Sequence, residues 1–415
     1  MIPLQEICIL ITDGKHGDCE NETDSGYYFI SCKDVRDGWI DYSNARQITK
    51  KDFVDTHRRT QLQPNDIVFT NSGTIGRIAL VPNIDITNRT TFQKSVAILK
   101  PKKNQALPDW LYYYLIAKKE ELIASAGGTA QKNLLLRDLR AFKVSLPPYP
   151  TQQKIAAILS TYDDLIENNI RRIKILEEMA QALYREWFVD FRFPGHEGVR
   201  RVESELGLVP DGWEIVKIPD AVIINPRIAL SKEGIKPFLS MGCLSENTMN
   251  VQTIESREGN SGSKFQNSDT LFARITPCLE NGKTVFVQFL PTDSDIAFGS
   301  TEFIVLRSKT LTPEFVYLLS RTESFRDNAI KSMSGATGRQ RVQEECFKKY
   351  LIAHPDTNTL NAFNEVIKPI FQSVYTLSLK NTTLRRTRDL LLPKLISGEL
   401  DVSELEILIP EEMVA

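Results

Sequence analysis

The chain repeats itself at half its length, and this constrains the fold more than any other feature. Asp66-Ile67-Val68-Phe69-Thr70 returns as Asp269-Thr270-Leu271-Phe272-Ala273, and Pro108-Asp109-Trp110-Leu111-Tyr112 as Pro313-Glu314-Phe315-Val316-Tyr317. Gly128-Thr129-Ala130-Gln131-Lys132-Asn133-Leu134 returns as Ala336-Thr337-Gly338-Arg339-Gln340-Arg341-Val342, and the register continues through Leu139/Phe347, Phe142/Tyr350, Val144/Ile352 and Pro147/Pro355. The offset stays between 203 and 208 residues, as Asp66/Asp269 and Gly128/Ala336 show. Each match alone is weak, but their common order over half the chain implies one architecture used twice. Dissimilar side chains on the two copies suit a target that itself has two different halves.

Each copy reads as a mixed α/β domain followed by a long helix. In residues 1–150, Tyr27–Ile30, Asp66–Phe69 and Ser95–Leu99 have strand length and composition, and Pro108 opens a helical pattern from Trp110 to Ile123. Pro147, Pro148 and Pro150 stop that domain. Residues 151–193 form a central long helix: no Pro or Gly occurs from Thr151 to Phe191. Leu159, Ile166, Ile173, Ala180 and Trp187 recur every seventh residue, with Tyr162, Asn169, Leu176 and Leu183 between them. Such a seam predicts a paired helix, on the order of 60 Å long at ~1.5 Å per residue. Residues 194–354 repeat the mixed domain, with Val285–Val287 and Phe303–Leu306 as strands. Residues 355–400 repeat the helix through Phe363, Ile370, Leu377, Leu384 and Leu391, interleaved with Ile367, Val374, Asn381, Arg388 and Leu395. Pro369 and Pro393 fall inside that pattern and should kink or delimit it. Asn169 and Asn381 are lone polar seam residues of the kind that fixes register. The fold class expected is therefore α+β, with two mixed domains in pseudo-repeat and two long antiparallel helices forming a coiled-coil-like pair. The tail 401–415 carries Asp401, Glu404, Glu406, Glu411 and Glu412 with no Lys or Arg, which predicts a solvated segment or a partner contact.

Composition removes several function classes. A net charge of −2 makes the whole molecule no electrostatic magnet for DNA or lipid, so nucleic-acid binding must come from local clusters. Six cysteines are scattered without a Cys-x-x-Cys, which argues for reduced thiols and against a zinc site. No signal-like leader and no membrane-length apolar run are present, so a cytoplasmic protein without a membrane role is expected. Catalytic motifs are also missing. Leu146-Pro147-Pro148-Tyr149 has leucine where an amino-methyltransferase needs a polar acceptor, and no cofactor-binding glycine turn accompanies it. Glu214 and Lys217 after Pro210-Asp211 are spaced Glu-x-x-Lys, which strand alternation would place on opposite faces rather than on one metal. No phosphate loop, zinc-protease or nucleophile-elbow motif occurs. The chain reads as non-catalytic, with no metal site.

Polar, basic, Gly-rich loops remain, at equivalent places in both halves. The first half offers Lys15, His16, Arg58, Arg59, Asn71, Ser72, Thr74, Arg77, Gln93, Lys94, Gln131, Lys132 and Asn133. The second offers Arg274, Thr276, Lys283, Ser300, Thr301, Thr337, Arg339, Gln340 and Arg341. Arg and Lys suit phosphates and guanine, Asn and Gln adenine, Ser and Thr phosphates.

Taken with the duplicated plan, the helix Gln152–Phe188, the run Arg388-Asp389-Leu390-Leu391-Leu392-Pro393-Lys394-Leu395-Ile396-Ser397-Gly398-Glu399-Leu400 and the early Asp13-Gly14-Lys15-His16-Gly17, the chain resembles the specificity subunit of type I restriction–modification enzymes over essentially its full length. The resemblance implies two target-recognition domains, each reading one half of a bipartite site on double-stranded DNA. It implies that the helices dock two methyltransferase subunits, through which restriction subunits attach. S-adenosylmethionine, ATP and magnesium would belong to those partners, with no cofactor in this chain. A stand-alone DNA-binding regulator and a coiled-coil protein adaptor are the alternatives. A gel shift with and without a methyltransferase separates them.

Overall fold

The computed structural model describes residues 1–125, 133–336 and 338–413. The chain divides into two compact units: residues 1–166 with 383–415, and residues 167–382. Each unit therefore contains one mixed domain and a stretch of both long helices.

The duplication extends to the strand order of one four-stranded sheet in each unit. In the first unit, strands 8–13, 96–101, 67–70 and 78–80 lie side by side in that order, all antiparallel. In the second, 222–224, 303–308, 270–273 and 284–286 do the same. A further sheet in each unit pairs one strand in parallel with the segment entering the site, 28–30 with 90–92 and 235–239 with 297–299. Every residue of 67–70 and of 270–273 is buried, so these runs show no alternation between a buried and an exposed face.

The repeated Asp has a structural cause. Asp66 Oδ2 accepts the Gln63 N–H at 2.8 Å, and Asp269 Oδ2 accepts the Gln266 N–H at 2.8 Å. Each caps the turn into its central strand and is neutralised by a cation on the neighbouring strand. Lys100 reaches Asp66 at 2.5 Å, and the Arg307 fork gives Asp269 two hydrogen bonds of 2.7 Å. The repeated Pro opens helices 108–117 and 313–321, where its missing N–H costs nothing. The helix expected from Trp110 to Ile123 is two helices, 108–117 and 119–124, broken at Lys118.

The long helices span Tyr149–Tyr184, continued by a π turn at Arg185–Val189, and Thr357–Ser397. The second runs unbroken through Pro369 and Pro393, so neither proline delimits it. Each proline deletes one ladder hydrogen bond, while the surrounding apolar residues stay packed: Ile367, Phe371 and Val374 around the first, Leu392 and Leu395 around the second. Asp356 starts this helix by accepting the N–H groups of Asn358 and Thr359 at 2.9 and 3.0 Å.

Within the second unit the helices run antiparallel: Asn169 meets Asn381 and Trp187 meets Phe363. Within the first, Arg388 pairs with Asp163, which also accepts the Tyr113 hydroxyl at 2.7 Å. Of the expected seam, Leu159, Ile166, Asn169, Ile173, Trp187, Leu377 and Asn381 are buried; Tyr162, Leu176, Leu183, Ile370, Leu384 and Leu391 are half-buried. Glu177, Tyr184, Phe188, Phe371 and Leu392 are buried outside that seam. A strict heptad stripe is too narrow here because each helix packs on its own unit's domain as well as on its partner. The acidic tail is not wholly solvated. Val402 and Met413 are buried in the first unit's core, and the Met413 carbonyl accepts from Gln153 at 2.7 Å.

Candidate nucleic-acid interface

In the first unit, backbone contacts gather the sequence-predicted loops. The Lys15 N–H reaches the Phe92 carbonyl at 2.8 Å, and the Lys94 N–H reaches that of Lys15 at 3.1 Å. A Cβ at Gly14 would lie 1.9 Å from the Phe92 oxygen, so only glycine permits this approach. The Asn71 N–H bonds to Ser95 at 3.1 Å, the Leu134 N–H bonds to Asn71 at 2.9 Å, and Ser72 bridges Asn133. Gly73 and Gly76, at φ 74° and 92°, turn the loop that exposes Thr74.

The second unit builds the same knot. The Val342 N–H bonds to Arg274 at 2.9 Å, Ile275 bridges Arg341, and the Thr276 N–H bonds to Gln340 at 3.1 Å. The Ser300 N–H bonds to Leu239 at 2.9 Å, as the Gln93 N–H bonds to Ile30 at 2.8 Å. Asn71 and Arg274 are thus equivalent positions, as are Asn133 and Arg341, and Gln93 and Ser300.

Many of these side chains already have partners. Arg59 donates to Asp13 at 2.6 Å, His16 meets the same carboxylate at 3.0 Å, and Lys15 lies 3.6 Å from both Asp52 and Asp55. Arg341 forks onto Glu302 with bonds of 2.6 to 2.9 Å, which push the guanidinium pKa further up. Arg77 turns inward to the Cys32 and Val35 carbonyls, Arg274 pairs with Glu344 at 3.3 Å, and Lys283 donates to the Met241 carbonyl at 3.3 Å. The Thr276 hydroxyl accepts from the Gln340 N–H at 3.1 Å, and that of Ser300 accepts from Glu302 at 3.1 Å. Arg58, Lys94, Thr301 and Arg339 are exposed. Gln131, Lys132 and Thr337 lie outside the described residues.

Sequence reasoning missed a cleft of about 620 Å³ in the second unit. Arg227, Lys264 and Arg274 line it with Asn225, Ser263 and Thr301, over a wall that includes Phe303 and Val305. Asn225, in the left-handed region at φ 50°, exchanges two backbone-directed bonds with Val305, of 2.8 and 2.9 Å, and so fixes the segment carrying Arg227. No short motif marks Arg227 or Lys264. Only the turn-forming Asn225-Pro226 could have drawn attention to this segment.

One backbone scaffold used twice, with different side chains at equivalent loop positions, defines a duplicated recognition protein. Residues 2–178 match the family model described as type I restriction modification DNA specificity domain. The chain is 26% identical over 374 residues to the type I restriction enzyme MjaIX specificity subunit of Methanocaldococcus jannaschii, covering 87% of this chain and 83% of the relative. It is 23% identical over 392 residues to the HindI specificity subunit of Haemophilus influenzae, covering 78% and 84%. The crystal structure of a type I restriction–modification S subunit from M. genitalium superposes with a TM-score of 0.57 at 13% identity, over 95% of each chain, and shares the fold. The chain is thus similar over most of its length to type I restriction–modification specificity subunits, and its first 178 residues carry the match to that family's DNA specificity domain. Among the described residues no helix is long and apolar enough to cross a membrane.

Proposed function

We propose that this chain is the non-catalytic DNA-reading subunit of a type I restriction–modification complex, each mixed domain contacting one half of a bipartite site. The observation that carries this reading is the pairing of one repeated four-stranded scaffold with different loop chemistry. Exposed Asn133 offers an amide where exposed Arg341 offers a guanidinium group, so one geometry presents two different donor patterns to base edges or phosphates. The exposed Arg58, Lys94 and Arg339 suit the phosphate contacts that set register.

The long helices are the docking element for two methyltransferase subunits, with restriction subunits attached through them. Ile170, Ile175 and Met179 on the first helix are 47%, 54% and 48% exposed, an apolar surface suited to a protein partner. S-adenosylmethionine, ATP and magnesium then act on those partners.

Replacing residues 1–148 with the first domain of another family member tests the reading. One half of the methylated sequence should change, while the other half and the spacer stay fixed. A swap that alters both halves would require a composite site formed by the two domains together.

A further inference from the structure

The two units differ in how their equivalent cationic segments are occupied. In the first, the segment after strand 8–13 carries Lys15, and helix 50–60 carries Arg59 and packs against strand 90–92. Asp13, Asp52 and Asp55 pair with these cations and close the position. In the second unit, the segment after strand 222–224 carries Arg227, and strand 263–265 takes the chain position of the helix and pairs with 297–299. Strand 263–265 carries Lys264. There the position is an open cleft without a lining carboxylate. Neither Arg227 nor Lys264 forms an ion pair among the described residues, and Lys264 donates only to the Gly262 carbonyl, at 2.9 Å. Arg227 is exposed.

We infer that this cleft is a phosphodiester site that grips the nucleic-acid backbone, so that the second unit supplies more of the electrostatic affinity than the first. Two unpaired cations with the exposed Thr301 hydroxyl form a donor set matched to phosphate oxygens, while the Ser263 hydroxyl is donated to the Phe303 carbonyl at 2.9 Å. Gly262 lines the cleft, and at φ 93° with a Cβ that would lie 1.9 Å from the Gly299 oxygen, only glycine fits this position. In the first unit an equivalent contact would first have to displace three carboxylates. This inference rests on the DNA-reading proposal, and the test separates the two.

Fluorescence anisotropy of the full chain with a random-sequence 30-base-pair duplex, titrated at several salt concentrations, gives the affinity and its salt slope. Arg227→Ala/Lys264→Ala should lower affinity about tenfold on every duplex. It should also flatten the slope of log K against log salt by about two units, near 0.9 per lost phosphate contact. Lys15→Ala/Arg59→Ala should flatten it by well under one unit. Arg227→Lys/Lys264→Arg should keep the wild-type slope, which shows that charge rather than folding is measured. A wild-type affinity and slope in the alanine pair would overturn the cleft while leaving the DNA reading intact. So would a loss confined to particular sequences at unchanged slope. Failure of the wild-type chain to bind any duplex, alone or with its methyltransferase, would overturn the DNA reading and the cleft with it.

Discussion

The Asn169–Asn381 pair offers a quantitative test of what the long helices are built for. Asn169 Nδ2 donates to Asn381 Oδ1 at 2.9 Å, and the residues are only 8% and 2% exposed. Ile173 and Leu377 lie in the same apolar cluster. Asn381→Leu removes one partner and leaves the Asn169 amide facing apolar side chains. Losing a buried partner costs ~1–3 kcal/mol, because the remaining group keeps its full desolvation penalty. Asn169→Leu/Asn381→Leu removes both polar groups and buries two apolar side chains. Each gains ~1.5–3 kcal/mol by burial, against a net hydrogen bond of ~1 kcal/mol. The double variant should therefore be at least as stable as the wild type, although its component is destabilised.

Native-state hydrogen exchange of the segment 167–182, followed across a urea series, reads this directly without assuming that the two units unfold together. The expected coupling energy is ~2 kcal/mol or more. If both variants lose stability equally, the amides are not a mutually satisfied pair. A stabilised double variant should also show what the pair is for. Without this polar layer the seam around it is less constrained in register, and broadened exchange in 167–182 reports slippage there.

Glu302→Gln releases the Arg341 fork and removes a charge that repels phosphate. Affinity for random-sequence DNA should rise several-fold and the salt slope steepen by about one unit; a weaker variant would make Glu302 an orienting partner instead. Burial raises the Glu177 pKa even though Met249 N–H and the Thr248 hydroxyl hydrogen-bond to it. The folded state therefore takes up its proton more readily than the unfolded state. Wild-type stability relative to Glu177→Gln should increase as pH falls from neutral through the raised value and level off near the ordinary glutamate value, ~4.3. A pH-independent difference between the two in urea melts would contradict this. Ile175→Asp/Met179→Asp should abolish co-purification with the methyltransferase while leaving the melting temperature of the isolated chain within a few degrees of wild type. Full co-purification would remove the first helix from the docking surface.

The sequence made the duplicated scaffold legible wherever a structural need repeats. Asp66 and Asp269 recur because each caps a turn and meets a cation on the next strand. Pro108 and Pro313 recur because each opens a helix. The strands near 28–30, 96–101, 284–286 and 303–308 were readable because they are runs of buried apolar residues. The strands at 235–239 and 263–265 were not, being partly exposed and interrupted by Lys236, Pro237, Ser263 and Lys264, with one pairing partner reached only by a crossover. The helix seam was half legible: a period of 3.5 describes a helix with one neighbour, whereas burial at 363, 367, 371, 374, 377 and 381 follows the wider stripe of a helix with two. Candidate cations could be named one by one, but not their partners. Arg59 and Asp13, or Arg341 and Glu302, are 46 and 39 residues apart.

Those hidden partners explain how a chain of net charge −2 can recognise a polyanion. Binding to any duplex requires either free cations or the exchange of internal carboxylates for phosphates. Lys15, Arg59 and Arg341 belong to the second kind, and exchange gains little free energy unless a base edge also satisfies the released fork. Arg227, Lys264, Arg58, Lys94 and Arg339 belong to the first kind and attract any sequence alike. On the proposed DNA reading, non-specific affinity is set by a few exposed cations, weighted toward the second unit. On the same reading, sequence discrimination is set by paired ones, whose carboxylates penalise every site that does not replace them. On this account the acidic residues of the loops are part of the reader: removing them should raise affinity and lower specificity together.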